Sequence, residues 1–548
     1  MCGILGGNMK CWDYAGAIKS IGHRGPDGMK IEVYSHITFA FCRLAIQDLL
    51  DRAMQPMSSP DNKIHIVFNG EIYGYQNLKH ELSARYQFET SSDTEVVLYA
   101  YMEYGEKFID KIDGIFALAV YDERVQKMFL YRDRVGVKPL YYFFDGRQFA
   151  FGSELKALEC LLNNIRLKID KTAIYDYLFY QYIPEPKSMY QNIYKLRPAT
   201  MMVFDVLGRC IVAKKQYWTL SVNTYVERKR KKEDITEELN VLFRKTVEEQ
   251  LVADVPVGTF LSGGIDSSII TYEAQRLRPE LSAFSMGFKE AQFDESKRAG
   301  IFCRDKNIVL KNRVLSNDHV KEIKNKLADW YDEPFGDTSA FPTYLLSKFA
   351  KEYCTVVLTG DGGDELFGGY NRYQNLLVLG NKAKMEDVYH QYAKPSYTVE
   401  DFKVKWKIAD DYDPYWHYKQ YYVNDMPVIT RMRYLDFMTY LPEDILTKVD
   451  RTSMAVSLEA RVPFLAKRIV EFAFSLSQEE YFSENELKGC LKDAYKGIIP
   501  NEILYGVKKG FSVPDNYLWR EKHESNVFAG ILKTHWSGLE RSMVESDE

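Results

Sequence analysis

The stretch VGTFLSGGIDSSIITYEAQRL (257–277) decides how the second half of the chain folds. Its apolar start predicts a strand over 257–261, a glycine turn follows, and the remaining residues predict a helix. Gly263 and Gly264 allow backbone amides to approach an anion at the positive end of that helix. The stretch therefore predicts a phosphate-binding loop at the end of a strand in an α/β sheet.

Acidic residues in and beyond this loop predict a metal. A carboxylate beside a phosphate is repelled unless a cation lies between them, so Asp266 predicts Mg²⁺. A second acidic loop, TGDGGDELFGGY (359–370), follows the apolar strand CTVVLTG (354–360). Carboxylates crowded on a glycine turn need a metal or a charged substrate. We therefore expect Asp364 to be a second Mg²⁺ ligand and Asp361 to act as a base or orienting group.

The chain start, MCGILGG (1–7), raises a separate question about Cys2. Removal of Met1, which the small second residue favours, would place the thiol beside a free α-amine with a pKa of about 7.7–8.0. Such an amine can act as the general base for a nucleophile. The alternative is that Cys2 is simply a small residue in a buried first strand.

Pattern changes divide the chain into two domains. Four β-rich runs bounded by turn residues lie at 36–41, 63–70, 115–122 and 127–133. Helical stretches between them predict an α+β domain over 1–218, followed by a basic linker within 219–234. Strands alternating with helices in 235–548 predict a parallel α/β sheet, with a mainly helical part beyond about residue 380.

Composition excludes several classes of protein. A chain of 548 residues is too long for one hydrophobic core, so we expect two or more domains. Its net charge of −5 provides no overall positive potential that would attract nucleic acid. The eight cysteines show neither CxxC spacing nor a disulfide framework. A signal peptide and a membrane span are not indicated, and we expect a cytoplasmic protein.

Several motifs together carry a resemblance to a known family. The first half contains MCGILGG, HRGPD (23–27), FNGEIY (68–73), SSDTE (91–95), RDRVGVKPLYY (132–142) and SELKAL (153–158). These resemble a class II glutamine amidotransferase domain, which implies an αββα sandwich of the N-terminal-nucleophile hydrolase type. The second half contains LSGGIDSS (261–268), the 359–370 loop, SLEARVPF (457–464) and KKGFSVP (508–514). With the ATP-pyrophosphatase-type SGGxDS signature, the whole chain resembles glutamine-hydrolysing asparagine synthetases.

The resemblance implies roles for residues of the first domain. Cys2 would be the nucleophile on the glutamine carboxamide, with an oxyanion hole formed by Asn69 and the Gly70 amide. Arg43 would bind the α-carboxylate of glutamine and Glu71 and Asp93 its α-ammonium. Glutamine binding is thus expected at Arg43, Asn69, Gly70, Glu71 and Asp93.

For the second domain the resemblance implies ATP as substrate and an acyl-adenylate intermediate. The acceptor would be aspartate, AMP and pyrophosphate would be released, and ammonia would arrive through an apolar internal tunnel. ATP contacts are expected at Leu261, Ser262, Gly263, Gly264, Asp266, Ser267, Ser268, Met286, Thr359, Gly360 and Lys508, with Lys448 or Arg451 assisting. Asp266 and Asp364 would hold Mg²⁺, and Asp361 would be catalytic.

Departures from the family pattern keep alternatives open. Asp361 stands where the family commonly has glutamate, and Gly74 and Ala466 replace the usual Asn and Asp. Relatives of this architecture also amidate sugar acids, so a uronic acid in surface-polysaccharide synthesis is the alternative acceptor. A glutaminase that only senses nucleotide is a third hypothesis. The resemblance further implies small-molecule substrates and pairing of two copies.

Overall fold

The computed structural model describes residues 1–222, 230–290, 294–323, 326–380, 384, 403–404, 406–482 and 486–506. Lys508 and the rest of the KKGFSVP motif lie outside the described residues, as does 223–229 of the predicted linker. The domain limits therefore stay a prediction.

Residues 1–222 build two antiparallel sheets. In chain order their strands are β1 (Cys2–Gly7), β2 (Gly28–Val33), β3 (Thr38–Arg43), β4 (Met57–Ser58), β5 (Ile64–Tyr73), β6 (Asp113–Asp122), β7 (Lys127–Arg132), β8 (Tyr141–Phe144), β9 (Phe149–Gly152), β10 (Ile193–Lys195), β11 (Thr200–Asp205) and β12 (Cys210–Gln216). The first sheet has the order β10-β8-β9-β1-β3-β2, and the second has the order β12-β11-β7-β6-β5-β4. The four β-rich runs fall on β3, β5, β6 and β7.

The two sheets pack face to face between two layers of helices. The helices are α1 (Tyr14–Ser20), α2 (Gln76–Leu82), α3 (Asp93–Tyr104), α4 (Leu155–Leu161) and α5 (Lys171–Tyr180). Phe41 of β3 and Leu130 of β7 share the core between the sheets. Leu158 of α4 joins the core on the outer face of the first sheet, and Val97 of α3 the core on the outer face of the second. The predicted αββα sandwich is confirmed.

The second half of the chain builds a five-stranded parallel sheet. Its strands are β13 (Val257–Phe260), β14 (Ser282–Phe288), β15 (Val309–Leu315), β16 (Val356–Leu358) and β17 (Glu459–Arg461). Their order is β15-β14-β13-β16-β17, and every neighbouring pair is parallel. The α/β prediction is confirmed.

Helices surround this sheet and make up most of the described chain beyond residue 360. They are α6 (Lys232–Gln250), α7 (Ile265–Leu277), α8 (Ser296–Lys306), α9 (Asn317–Ile323), α10 (Leu327–Trp330), α11 (Ala340–Lys351), α12 (Gly363–Phe367), α13 (Asn371–Leu379), α14 (Trp416–Lys419), α15 (Val428–Met438), α16 (Leu446–Met454), α17 (Lys467–Ser475), α18 (Gln478–Tyr481), α19 (Gly489–Ala494) and α20 (Asn501–Leu504). Within the described ranges, none of the helices is long and apolar enough to cross a membrane.

The strand order places the two acidic loops side by side. β13 and β16 are parallel neighbours, so the loops at their carboxyl ends meet at one edge of the sheet. β17 lies beside β16 and faces the first domain, where Glu459 is 2.8 Å from the α-ammonium of Met1. Arg24 of the first domain also pairs with Asp450 of α16 at 2.8 Å.

Candidate active sites

Cys2 begins β1 and lies against the end of β3, where its register partner is Arg43. Its backbone N–H donates to the Asn69 side-chain oxygen at 2.9 Å. Cys2 is 8% exposed, and its Sγ lies 4.0 Å from the Leu44 carbonyl oxygen. Burial raises the pKa of this thiol, and the positive chain terminus opposes that rise. A base close to the thiol is therefore needed before it can act as a nucleophile.

Met1 is itself buried between the two domains, at 1% exposure. Its side chain packs against Leu44, Val356 and Met454. An aminopeptidase cannot reach an end enclosed in this way, so we expect removal of Met1 to precede docking of the domains. The new amine would then form where the Cys2 N–H already meets Asn69.

Two donors face the Cys2 side of β5. The Asn69 Nδ2 group is buried and has no hydrogen-bond partner among the described residues. Residues two apart on a strand direct their amides to the same edge. Gln55 accepts from the Phe68 amide at 2.6 Å and Asp93 from the Ile72 amide at 2.8 Å. The Gly70 amide between them faces that same edge, away from β6, and is placed with Asn69 Nδ2 to stabilise an oxyanion.

Gly70 cannot be replaced without moving β6. A Cβ atom there would lie 2.1 Å from the Ile115 carbonyl oxygen and 2.6 Å from the Phe116 Cα. Such distances are excluded for real atoms, so the FNGEIY motif needs glycine where β5 and β6 lie this close together.

Two buried carboxylates follow in the same region. Glu71 and Asp93 are each 4% exposed. Burial raises the pKa of Asp93 to about 6, and burial and Glu459 raise the pKa of Glu71 well above its ordinary value. Gln47 donates a hydrogen bond to Glu71. Carboxylates held in this way gain most from a bound cation, as the α-ammonium of glutamine would be.

Arg43 is also buried, but its guanidinium already donates hydrogen bonds to the backbone of the loop that follows β3. Its Nη1 donates to the Leu50 carbonyl oxygen at 2.8 Å, and its Nη2 donates to the Asp48 carbonyl oxygen. The structure therefore brings all five predicted glutamine-binding residues to the Cys2 side of the domain. Their roles remain predictions.

The glycine loop 261–268 has the predicted strand–turn–helix form. Gly263 has φ +86°, and a Cβ there would lie 2.9 Å from the Glu295 carbonyl oxygen. The Ser262 and Ser267 hydroxyls are 3.0 Å apart at the start of α7. Ser268 is fully buried, and its hydroxyl has no hydrogen-bond partner within the described ranges.

The two acidic loops are in direct contact through glycines. A Cβ at Gly360 would lie 2.7 Å from the Ser267 amide nitrogen, and one at Gly363 would lie 2.6 Å from Asp266. Leu261, Met286 and Thr359 are buried around this junction. Ten of the eleven residues predicted to bind ATP thus belong to one edge of the sheet; the eleventh, Lys508, lies outside the described residues.

Asp266 and Asp364 converge on one cationic group, the Lys488 ammonium, which contacts both carboxylates. Lys488 is 5% exposed and lies just before α19. The ammonium occupies the position expected of a metal between the loops. Two carboxylates suit Mg²⁺, which commonly takes its other ligands from water and phosphate. The structure thus fits the predicted metal pair, and no cluster of three or more metal-ligating side chains occurs in the described part.

Beyond the second loop, three carboxyl groups cluster around Lys448. Lys448 of α16 is 3.0 Å from Asp337 and also interacts with Asp361 and Asp444. Burial raises the pKa of Asp361, and the positive charge of Lys448 opposes this rise. Burial, together with Asp337, raises the pKa of Asp444 to about 8. A cation bound beside Asp444 would therefore favour the ionised form of this carboxyl.

Arg451, one of the two residues expected to assist ATP binding, directs its guanidinium toward the first domain. Its Nη1 is 3.0 Å from Glu154 of the first domain and 3.1 Å from Asp332. In this structure Arg451 therefore joins the two domains, and Lys448 is the cation beside Asp361.

Sequence reasoning missed three residues of these sites. Lys488 contacts both expected metal ligands, Arg461 lies 3.4 Å from Glu71, and Gln47 donates to Glu71. Arg461 lies in the quoted SLEARVPF motif, which could have drawn attention to it. Lys488 and Gln47 have no local signature.

Comparison with known proteins matches both halves of the chain. A family model described as asparagine synthase matches residues 238–539, and one described as a glutamine amidotransferase domain matches 1–218. Asparagine synthetase (glutamine-hydrolyzing) 1 of Bacillus subtilis is 34% identical over 550 residues, covering 93% of this chain and 85% of that protein. Putative asparagine synthetase (glutamine-hydrolyzing) 2 of Methanocaldococcus jannaschii is 37% identical over 378 residues, covering 65% of this chain and 72% of that protein.

Proposed function

Because this chain belongs to the glutamine-hydrolysing asparagine synthetase family, we propose that it converts aspartate into asparagine. The enzyme is a glutamine-dependent amidotransferase of the asparagine synthase type. In the proposed reaction ATP activates the β-carboxylate of aspartate as an adenylate with release of pyrophosphate. Ammonia from glutamine then displaces AMP.

The proposed glutaminase step begins at Cys2 after removal of Met1. The free α-amine takes the thiol proton, and the thiolate attacks the carboxamide carbon of glutamine. Asn69 Nδ2 and the Gly70 amide stabilise the oxyanion. The C–N bond then breaks, ammonia leaves with the proton from the amine, and water hydrolyses the thioester to glutamate.

The proposed synthase step uses the edge where the two acidic loops meet. The amides and hydroxyls of 261–268 bind the ATP phosphates, and Lys488 lies at the same place as a cation for pyrophosphate. Asp266 and Asp364 would hold Mg²⁺, which when bound neutralises charge on the leaving pyrophosphate. Asp361 and Lys448 lie next to the reacting carboxyl in this assignment.

The cluster of carboxyl groups around Lys448 is the observation that supports aspartate as the acceptor. Asp337, Asp361 and Asp444 lie around the Lys448 ammonium, and Arg372 is a second cation that acts on Asp444, so three carboxyl groups face two cations. An amino acid supplies an α-ammonium that would ionise Asp444, whose pKa of about 8 keeps it protonated at neutral pH. A uronic acid has no cation and would add only negative charge.

Apolar packing around Met1 supports transfer of ammonia between the sites. The side chain of Met1 fills a space lined by Leu44, Ile46, Val356 and Met454. Its removal would leave an apolar space between Cys2 and β16, the strand that leads to Asp361. Such walls neither protonate ammonia nor bind it.

The test supplies purified protein with glutamine, Mg-ATP and either aspartate or a uronic acid. We expect asparagine and AMP in equal amounts with aspartate, and neither an amide product nor AMP with the uronic acid. AMP formation with the uronic acid alone would replace aspartate by a sugar-acid acceptor. Glutamine hydrolysis without AMP would indicate the nucleotide-sensing glutaminase. Pairing of two copies also stays a proposal, which light scattering on a sizing column measures.

A further inference from the structure

A fully buried arginine of the second domain reaches into the glutamine site of the first. Arg461 ends β17 at 0% exposure, and its Nη2 lies 3.4 Å from a Glu71 carboxylate oxygen. Its Nη1 donates to the Gln250 and Val252 carbonyl oxygens, each at 2.7 Å, and its Nε donates to Glu459. These contacts fix the guanidinium in one orientation, with its remaining nitrogen toward Glu71.

The charges around Glu71 decide whether its carboxyl is protonated, and therefore how well it binds the α-ammonium of glutamine. The titratable groups that face Glu71 or respond to its charge are Arg461, Glu459, Asp93, the chain-terminal amine, Cys2, Tyr73 and Tyr75. Glu459 and Asp93 favour the protonated form of Glu71, and burial acts in the same direction. Arg461 and the terminal amine are cations that oppose them. A protonated Glu71 would offer the α-ammonium of glutamine no charge.

We propose that Arg461 is a positioning residue of the glutamine site, by which the synthase domain orients Glu71 toward the α-ammonium of the substrate and favours the ionised form of Glu71 when that ammonium binds. This inference rests on the proposed role of Glu71. It makes the glutamine pocket a site completed across the domain boundary, since the amidotransferase fold by itself brings no guanidinium to Glu71 in the described part of the chain.

Steady-state kinetics of glutamine hydrolysis against pH tests the proposal. In Arg461→Gln, the acid limb of kcat/KM for glutamine should move to higher pH, because that limb reports groups of the free enzyme. KM for glutamine at neutral pH should rise about tenfold for each unit by which the pKa of Glu71 comes to exceed the assay pH. Synthesis from added ammonium salts should change less than about twofold, because that reaction does not use Glu71.

Two further variants separate charge from structure. Arg461→Lys keeps a cation, so its acid limb should stay near that of the native protein even where Arg461→Gln does not fold. Arg433→Gln removes another fully buried arginine, which packs over Tyr481 at 3.7 Å, far from glutamine in the assignment. It should lower stability and leave KM for glutamine and its pH profile unchanged.

Three results would overturn the inference. They are an unmoved acid limb in Arg461→Gln, an acid limb of Arg461→Lys displaced from that of the native protein, or an equal change in KM in Arg433→Gln. Failure of the proposed function looks different, because native protein would then hydrolyse no glutamine, or Cys2→Ala would hydrolyse it normally.

Discussion

The glutamine site should be a source of instability when it is empty, and Asp93→Asn measures this. The carboxyl of Asp93 has a pKa of about 6 against an ordinary 3.8. A group whose folded pKa is raised adds stability below its unfolded pKa and loses it as pH rises through the folded value. Relative to low pH, this rise in the pKa of Asp93 lowers the free energy of unfolding by about 3 kcal/mol at about pH 7.5. The loss at about pH 4.5 is about 1 kcal/mol. The side chain in Asp93→Asn does not ionise, so the variant does not lose this free energy of unfolding as the pH rises.

Thermal unfolding without glutamine, at those two pH values, gives the comparison. We expect Asp93→Asn to be more stable than the native protein at the higher pH, by about 2 kcal/mol more than at the lower. Glutamine should raise the midpoint of the native protein and not that of the variant. As a control, Asp110→Asn removes an exposed carboxylate and should show no such pH-dependent difference. An equal effect of Asp93→Asn at both pH values would refute the reasoning.

Two other substitutions separate the half-reactions. Asn69→Ala should lower kcat for glutamine hydrolysis by about 10²–10³-fold, or about 3–4 kcal/mol, through loss of an oxyanion donor. Its synthesis from ammonium salts should persist, and loss of both activities would argue against the assigned role. Lys488→Gln should weaken ATP binding and abolish AMP formation, because Lys488 contacts both Asp266 and Asp364. Its glutamine hydrolysis without ATP should be unchanged, and unaltered AMP formation would contradict the assignment.

Both folds could be predicted from sequence because their determinants are local. β-rich runs bounded by turn residues and the glycine turn at 261–268 are readable over short windows, and the αββα sandwich was implied by the family resemblance. The resemblance assigns site roles to Cys2, Asn69 and Asp93, whose motifs each lie on a single strand or at a helix start, and these roles stay predictions. The Gly70 position follows from the same motif, since only glycine permits the close approach of β6.

The residues that escaped prediction act across long separations. Lys488 is 222 positions from Asp266 and lies in an ordinary polar segment. Arg461 stands in a quoted motif, but Glu71 belongs to the other domain, so no local pattern links them. Arg451 was one of two residues expected to assist ATP, and its partners Glu154 and Asp332 become neighbours only when the domains dock.

Transfer of ammonia from Cys2 to an activated aspartate can be tested directly by one labelling measurement. The protein would receive aspartate, ATP and glutamine labelled with nitrogen-15 in its amide, in a bath of unlabelled ammonium. Mass spectrometry would then give the labelled share of the asparagine formed. Internal transfer predicts a share well above that of the bath, and asparagine that carries only the label content of the bath would contradict it.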